Sequence, residues 1–464
     1  MSSSSILSLV LFSAAQGAPL IRVSVRNMIP LILGLAVVIL LMILGRVPLR
    51  YNLRNLTVRW RATFMTALAF TLVVGLLTVM LAFVNGMYRL TQQSGDPRNV
   101  MLLSDGATDE TFSNLGFSDV GDIPFQEGVD FDPQTNERLC SKETYIVANQ
   151  EIEDPAPGRP LRRLLQIRCI DEPEMSARVH DLELLPGGAW FGGEGAIEIP
   201  GGGTAFQAVI GEGIARELGR DRRPALIAAA QNKDRLEVGD LFSLSGRKWY
   251  VTGIIKARGS TFDSEIWAKR GLVDKHYREE TYSTITVRAK DAQAALQLRN
   301  LFKNTYKKAA LNPILETEYF EKLAAANGQF LFAIVFLTVI IAVGGVMGIM
   351  NTMFAAVSQR RKDVGVLRIL GFSRGEVMFT FLLESLVLAL LGGAIGCLLG
   401  CLAHGYRVTS ILTSGQTTKF VVLEMLVTGD TISIALLVTL AMGLLGGAIP
   451  AFFAMLVRPL ESLR

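Results

Sequence analysis

The sequence contains no Gly-Lys dipeptide, and that absence excludes a P-loop, whose lysine follows a glycine to reach the nucleotide phosphates. ATP hydrolysis by that route is therefore not available to this chain. Histidine is scarce: His180, His276 and His404 are the only three, and none lies at metal-ligand spacing from another His or from a Cys. No metal site is read from the sequence. The glycine-rich stretches GEGIARELG and GGAWFGGEG are read as turns, neither leading a strand into a helix as a phosphate cradle requires. Charge is sparse as well, at 19% of residues and a net +4, with no clustered basic face of the kind nucleic acid needs. No catalytic set emerges.

What the chain has instead is apolar length. Half of its residues are hydrophobic, and four runs reach the roughly 20 residues that cross a hydrocarbon core. They are Phe64–Val84, Phe330–Met353, Phe379–Cys401 and Ile432–Val457. No soluble domain in this sequence could cover four such helices. A fifth run, Met28–Leu44, stands near the lower length limit and is expected as an extra N-terminal span over 28–46. The link 47–63 that follows carries Arg50, Arg54, Arg59 and Arg61 with no acid, which places it in the cytoplasm by the positive-inside bias. Arg458 and Arg464 place the tail 458–464 there too. The regions 86–329 and 403–431 then lie outside. The N-terminal segment 1–27 falls outside if the extra span is real, against which Arg22 and Arg26 stand. A cleaved signal peptide is the alternative for that segment, and it lacks the positive n-region such a peptide carries.

The outside region of about 240 residues is large enough for its own core. Its β-branched runs TYIVANQEI, LLQIRCI, FQAVIG, LFSL, WYVTGII and STITVRA alternate with turns. The stretch AQAALQLRNLFKNTYKKA has helical spacing, so the domain is α+β. The Gly- and Pro-rich stretch Pro186–Gly203 is expected to divide it into two subdomains. Cys140 and Cys169, placed outside, are expected to form a disulfide across a hairpin, with free buried thiols as the other reading. Cys397 and Cys401, one turn apart in an apolar span, read as small hydrophobes.

Two features sit at the cytoplasmic face. Glu384 is a carboxylate near the cytoplasmic end of a span, which reads as a functional group or as the partner of a base such as Arg374. The short link 354–378 is both basic and amphipathic. Arg360, Arg361, Arg368 and Arg374 surround Val364, Leu367 and Leu370, and Gly371 breaks it. Such a segment either anchors on headgroups or docks in the groove of a soluble partner.

Its core, RKDVGVLRILGFSR over 361–374, resembles the cytoplasmic signature of MacB/FtsX-type ABC-transporter permeases. That signature runs from an acid (Asp363), a β-branched residue (Val364) and Gly365 through an Arg (Arg368) to Leu-Gly-Ala-Ser. Ile369 stands where Ala is usual, and Phe372 replaces the Ala before Ser373. The stretches YNLRNLTVRWRATFMTALAF, GDPRNVMLLSDGA and VGDLFSLSGRKWYVTGIIKARGSTFDSEIW are similar to the family as well, so the resemblance covers most of 48–464. The resemblance implies a four-helix permease with one large α+β extracytoplasmic domain, working beside a second permease copy and an ABC ATPase subunit in the inner membrane. A periplasmic adaptor and membrane lipid are further implied partners. ATP and Mg belong on the ATPase, with no cofactor on this chain. It further implies that Arg360, Arg361, Asp363, Val364, Gly365, Leu367, Arg368, Leu370, Gly371, Ser373 and Arg374 meet the ATPase. The rival readings are an FtsX-like subunit that relays ATPase state to an outside hydrolase, and a membrane-anchored extracytoplasmic enzyme.

Overall fold

The computed structural model describes residues 60–152, 161–199, 203–326, 328–414 and 417–456. The expected segments 1–27 and 28–46, most of the lead-in 47–63 and the tail 458–464 lie outside the described residues.

Four long apolar helices form at the four expected places: Trp60–Gln92, Gly328–Gln359, Arg374–Cys401 and Gly429–Met455. In chain order they are the first to fourth core helices. The described chain divides into two compact units. The membrane unit holds these helices up to Gly86, from Gln329 to Tyr406, and from Glu424 onward.

Within it, the first, third and fourth core helices pack through small residues, as helices do where lipid leaves no hydrophobic drive between them. A Cβ on Gly396 would come within 2.7 Å of the Thr71 carbonyl, and one on Gly392 within 2.5 Å of the Ala67 carbonyl, so only glycine admits that approach. Phe70, Phe381, Leu386, Ala389, Leu440 and Met442 fill the space between. The second core helix behaves otherwise. Only 6% of its most apolar stretch is buried, against 56% for the third. Among its described side chains the buried positions are Ile349, Met353 and Val357, a four-residue repeat in its cytoplasmic half.

The extracytoplasmic unit comprises Met87–Gly328 and Arg407–Leu423. Ten strands build one mixed sheet: β1 (Asn99–Ser104), β2 (Cys140–Glu151), β3 (Arg162–Ile170), β4 (Ala196–Glu198), β5 (Thr204–Gly211), β6 (Leu241–Leu244), β7 (Arg247–Ile255), β8 (Glu265–Lys269), β9 (Thr284–Arg288) and β10 (Leu311–Leu315). Their order is β10-β1-β9-β2-β3-β8-β5-β7-β6, with β4 beside β5. The pairs β3–β8 and β5–β7 are parallel and the other named pairs antiparallel.

This corrects the expected division at Pro186–Gly203. Strand β9, from beyond that stretch, lies between β1 and β2 from before it, so one sheet runs through both parts. Two apolar cores line it, one around Ile167, Ile210, Trp249 and Ile266, the other around Leu102, Ile285, Val287 and Phe302.

The expected outer loop 403–431 is not a simple loop. It contains a hairpin of β11 (Arg407–Ser414) and β12 (Thr417–Glu424), a separate two-stranded sheet within the extracytoplasmic unit. The stretch GEGIARELG also differs from its expected turn, because Gly211 ends β5 and helix Glu212–Arg220 starts at once. It is no phosphate cradle: a Cβ on Gly213 would meet the Asp263 carbonyl at 2.7 Å and the Val422 side chain at 3.0 Å.

Candidate functional site

The cytoplasmic link between the second and third core helices is a short helix closed by a C-terminal motif and followed at once by the capped start of the third core helix. Gln359 closes the second core helix, and Arg360 leaves helical geometry at φ −105 and ψ 15. A new helix runs Arg361–Ile369. It ends in a Schellman motif: the Phe372 N–H donates to the Leu367 carbonyl at 3.2 Å and the Gly371 N–H to that of Arg368 at 3.3 Å. Gly371 sits at φ +95, a conformation L side chains rarely adopt. Ser373 then caps the third core helix in a capping box with Glu376, at 2.7 and 3.3 Å. Each turn of the path is fixed by a hydrogen bond, so the link is a rigid elbow. The letters Gly371-Phe372-Ser373-Arg374-Gly375 also spell the Gly-x-Ser-x-Gly pattern of hydrolases. Here the serine follows a helix instead of a strand and serves as an N-cap.

The elbow's residues divide into an inner and an outer set, and the division corrects the sequence reading at several positions. Arg360 turns inward and is 5% exposed. Its guanidinium clasps the buried Glu384 carboxylate through both nitrogens, at 2.5 and 2.7 Å. Glu384 is thus the partner of Arg360 and not of Arg374, and Arg360 is withdrawn from any docking surface. The reason is geometric: Arg360 begins the elbow where the chain turns back toward the third core helix, and a lone carboxylate there needs a paired charge. Val364 and Gly365 are buried too, and Leu367 is half-buried beside Val377, Thr380 and Phe381. Arg368 donates to the Phe372 carbonyl at 3.1 Å and braces the elbow's own turn. The outer surface is made by Arg361, Lys362, Asp363, Gly371, Ser373 and Arg374 around Val366, Ile369 and Leu370. Leu370 and Ile369, at 70% and 60% exposed, are the projecting apolar groups, in place of the expected stripe Val364–Leu367–Leu370.

The cysteine pair is also corrected. In the antiparallel ladder of β2 and β3, Cys169 faces Thr144, four residues along β2 from Cys140, which instead faces Val287 of β9. Four residues of strand span about 13 Å, beyond the reach of a disulfide. Both thiols are free, and burial pushes that of Cys140 up to about 12.

Sequence reasoning missed a buried ionic cluster in the extracytoplasmic unit. Arg168 on β3 bonds Glu110 at 2.7 Å and Glu265 at 2.8 Å, and also Glu143. His180 lies between Glu143 at 2.6 Å and Glu316 at 3.2 Å. Burial opposes its charge, but the two carboxylates prevail and hold its pKa at about 9. Lys419 of β12 reaches Glu110 at 2.9 Å and the Tyr319 hydroxyl at 2.8 Å. Burial disfavours the Glu110 charge, yet Arg168 and Lys419 keep its carboxyl well below the usual range. The available signal was a set of charges inside β-branched runs, such as Arg168 in LLQIRCI. Among the described residues no cluster of His, Cys, Asp and Glu is suited to a metal ion.

Comparison with known proteins places this geometry. Residues 63–305, over half the chain, match the family described as MacB-like periplasmic core domain, and residues 335–457 match FtsX-like permease C-terminal. An uncharacterized ABC transporter permease of Methanocaldococcus jannaschii is 27% identical over 56% of this chain and 62% of its own length. The macrolide export ATP-binding/permease protein MacB of Vibrio parahaemolyticus is 23% identical over 79% of this chain and 55% of its own length. The chain therefore spans less than two thirds of these curated relatives. The crystal structure of the periplasmic region of MacB from Actinobacillus actinomycetemcomitans aligns at a TM-score of 0.31 and 12% identity, over 51% of this chain and 96% of that one. The chain is a multi-pass inner-membrane protein with a large extracytoplasmic domain, and it belongs to the MacB/FtsX-type family of ABC-transporter permeases.

Proposed function

We propose that this chain is the transmembrane subunit of an ABC complex in which a separate ATPase, carrying ATP and Mg, grips the elbow at 361–374 and drives motion of the extracytoplasmic domain, in export or in signalling across the membrane. The observation that supports it is the elbow itself. Two membrane helices are joined by a short helix whose C-terminal turn and the capped start of the next helix are fixed by hydrogen bonds, and whose outer face combines Val366, Ile369 and Leu370 with Arg361, Lys362 and Arg374. A headgroup anchor needs charge and grease but no fixed shape. A force-bearing contact needs a rigid body, and arginine forks add directional pairing to carboxylates.

A second permease copy fits the second core helix. Gly344 and Gly348 form a Gly-x-x-x-Gly step with nothing within 4 Å of either, flanked by exposed Val343 and Met347. A periplasmic adaptor and bound lipid complete the proposed assembly.

The test is reconstitution in lipid nanodiscs. The chain alone should show no ATPase activity, and a cognate ATPase should bind it and have its turnover altered by it. Robust hydrolysis by the purified chain, or failure of any cognate ATPase to bind, would overturn this reading.

A further inference from the structure

The five carboxylates of Asp109, Glu110, Glu143, Glu265 and Glu316 are all buried; within Met87–Gly328, Arg168 pairs with Glu110, Glu143 and Glu265, and His180 with Glu143 and Glu316. The third cation, Lys419, comes from outside that segment, on the hairpin between the third and fourth core helices. It is 4% exposed, and its ammonium lies 4.5 Å from the Tyr145 ring centre and 5.2 Å from that of Tyr319. Two aromatic faces, a carboxylate and a phenol thus enclose it, a setting in which a cation is held strongly because water is excluded.

Among the described residues the hairpin has no ladder to the ten-stranded sheet. Side chains hold it instead. The Val422 N–H donates to Ser264 Oγ at 2.8 Å, and the Gln166 amide, oriented to satisfy both groups, bonds the Phe420 N–H and carbonyl at 2.6 and 3.1 Å. Attachment by a few side chains gives discrete bonds: Arg407 of β11 pairs with Glu212, which also keeps Arg216, whereas Lys419 is the cation beside buried Asp109 at 3.8 Å and shares Glu110 with Arg168, so its removal increases the excess of buried negative charge.

We infer that Lys419 is an anchoring residue: by completing the carboxylate cluster it binds the connection between the third and fourth core helices into the extracytoplasmic domain, and makes that connection a second path for force beside the first and second core helices. The anchoring stands on geometry alone, whereas its consequence for coupling rests on the proposed function. Lys419 acts through the position of the hairpin and touches no substrate.

The experiment uses the full chain in nanodiscs and reads three things: hydrogen exchange of 420–423, melting temperature, and the turnover of the bound cognate ATPase. Lys419→Met keeps the stem and removes the ammonium. Exchange over 420–423 should then speed by at least about tenfold, since local protection reports local contacts. The double variant Lys419→Met/Glu110→Gln removes one of the carboxylates left in excess and should recover the melting temperature, while exchange stays fast and the coupling of ATPase turnover to the chain stays lost. Wild-type exchange in Lys419→Met would overturn the anchoring. So would a double variant that regains protection and coupling together with its melting temperature, because the lysine would then serve only the fold. If the wild-type chain binds no ATPase, the proposed function fails and the exchange data still decide the anchoring.

Discussion

Replacing Leu370 should weaken ATPase binding without disturbing the fold. The side chain is 70% exposed at the tip of the elbow, so a partner has most of its area left to cover. Full burial of a leucine is worth about 1.5–3 kcal/mol, and covering this fraction contributes about 1–2 kcal/mol. Leu370→Ala should therefore raise the Kd for the ATPase by roughly 5- to 30-fold. Leu370→Asp adds a desolvated charge costing about 1–3 kcal/mol or more, which should abolish measurable binding. Leu367→Asp makes the informative contrast. Leu367 is half-buried against Val377, Thr380 and Phe381, so its substitution should lower the melting temperature as well as binding. The assay is titration of the purified ATPase onto the chain in nanodiscs, with a thermal melt of each variant. Binding of Leu370→Asp within about twofold of wild type would refute the docking face, since the factor predicted is several times larger.

Two further outcomes follow from the buried charges. Arg360→Met or Glu384→Gln alone should destabilise the membrane unit by about 3–5 kcal/mol, while Arg360→Met/Glu384→Leu should recover most of it, measured as melting temperature in detergent; equal effects of the single and double variants would contradict a coupled pair. His180 has a folded pKa near 9 against an ordinary 6.5, so its protonation contributes stability that is fully present below about pH 6.5 and lost as pH rises through 9. Melts of the full chain from pH 6.5 to 9.5 should fall across that window and flatten in His180→Gln, and an identical slope in that variant would assign the loss to other groups.

Much of the architecture was legible because it rests on periodicity and length. Four apolar runs of sufficient length gave four helices, and β2, β3, β5, β6, β7 and β9 each coincide with an alternating or β-branched run. What stayed hidden was long-range. Strand β9 inserts between β1 and β2, a placement no local pattern encodes. The elbow was visible as an amphipathic stretch, but which face turns inward depends on the Arg360–Glu384 clasp, 24 residues apart in sequence. Val364 and Leu370 look equivalent as letters and end at opposite burial. The ionic cluster gathers residues from 109 to 419, and only the folded sheet brings them together.

The uneven packing of the second core helix has a mechanical consequence. Ile349, Met353, Val357 and Arg360 pin its cytoplasmic half, whereas from Phe332 to Met347 no residue is buried and contact with the other core helices is made on one side, through Ala342, Gly345 and Val346. Such a helix is a mast stepped at one end. The loosely held length from Phe332 to Ile349 is about 25 Å at 1.5 Å per residue, so a tilt of about 10° at the pinned end sweeps the outer end through about 4 Å. The glycine contacts that lock the other three core helices together supply the fixed deck against which that sweep is measured.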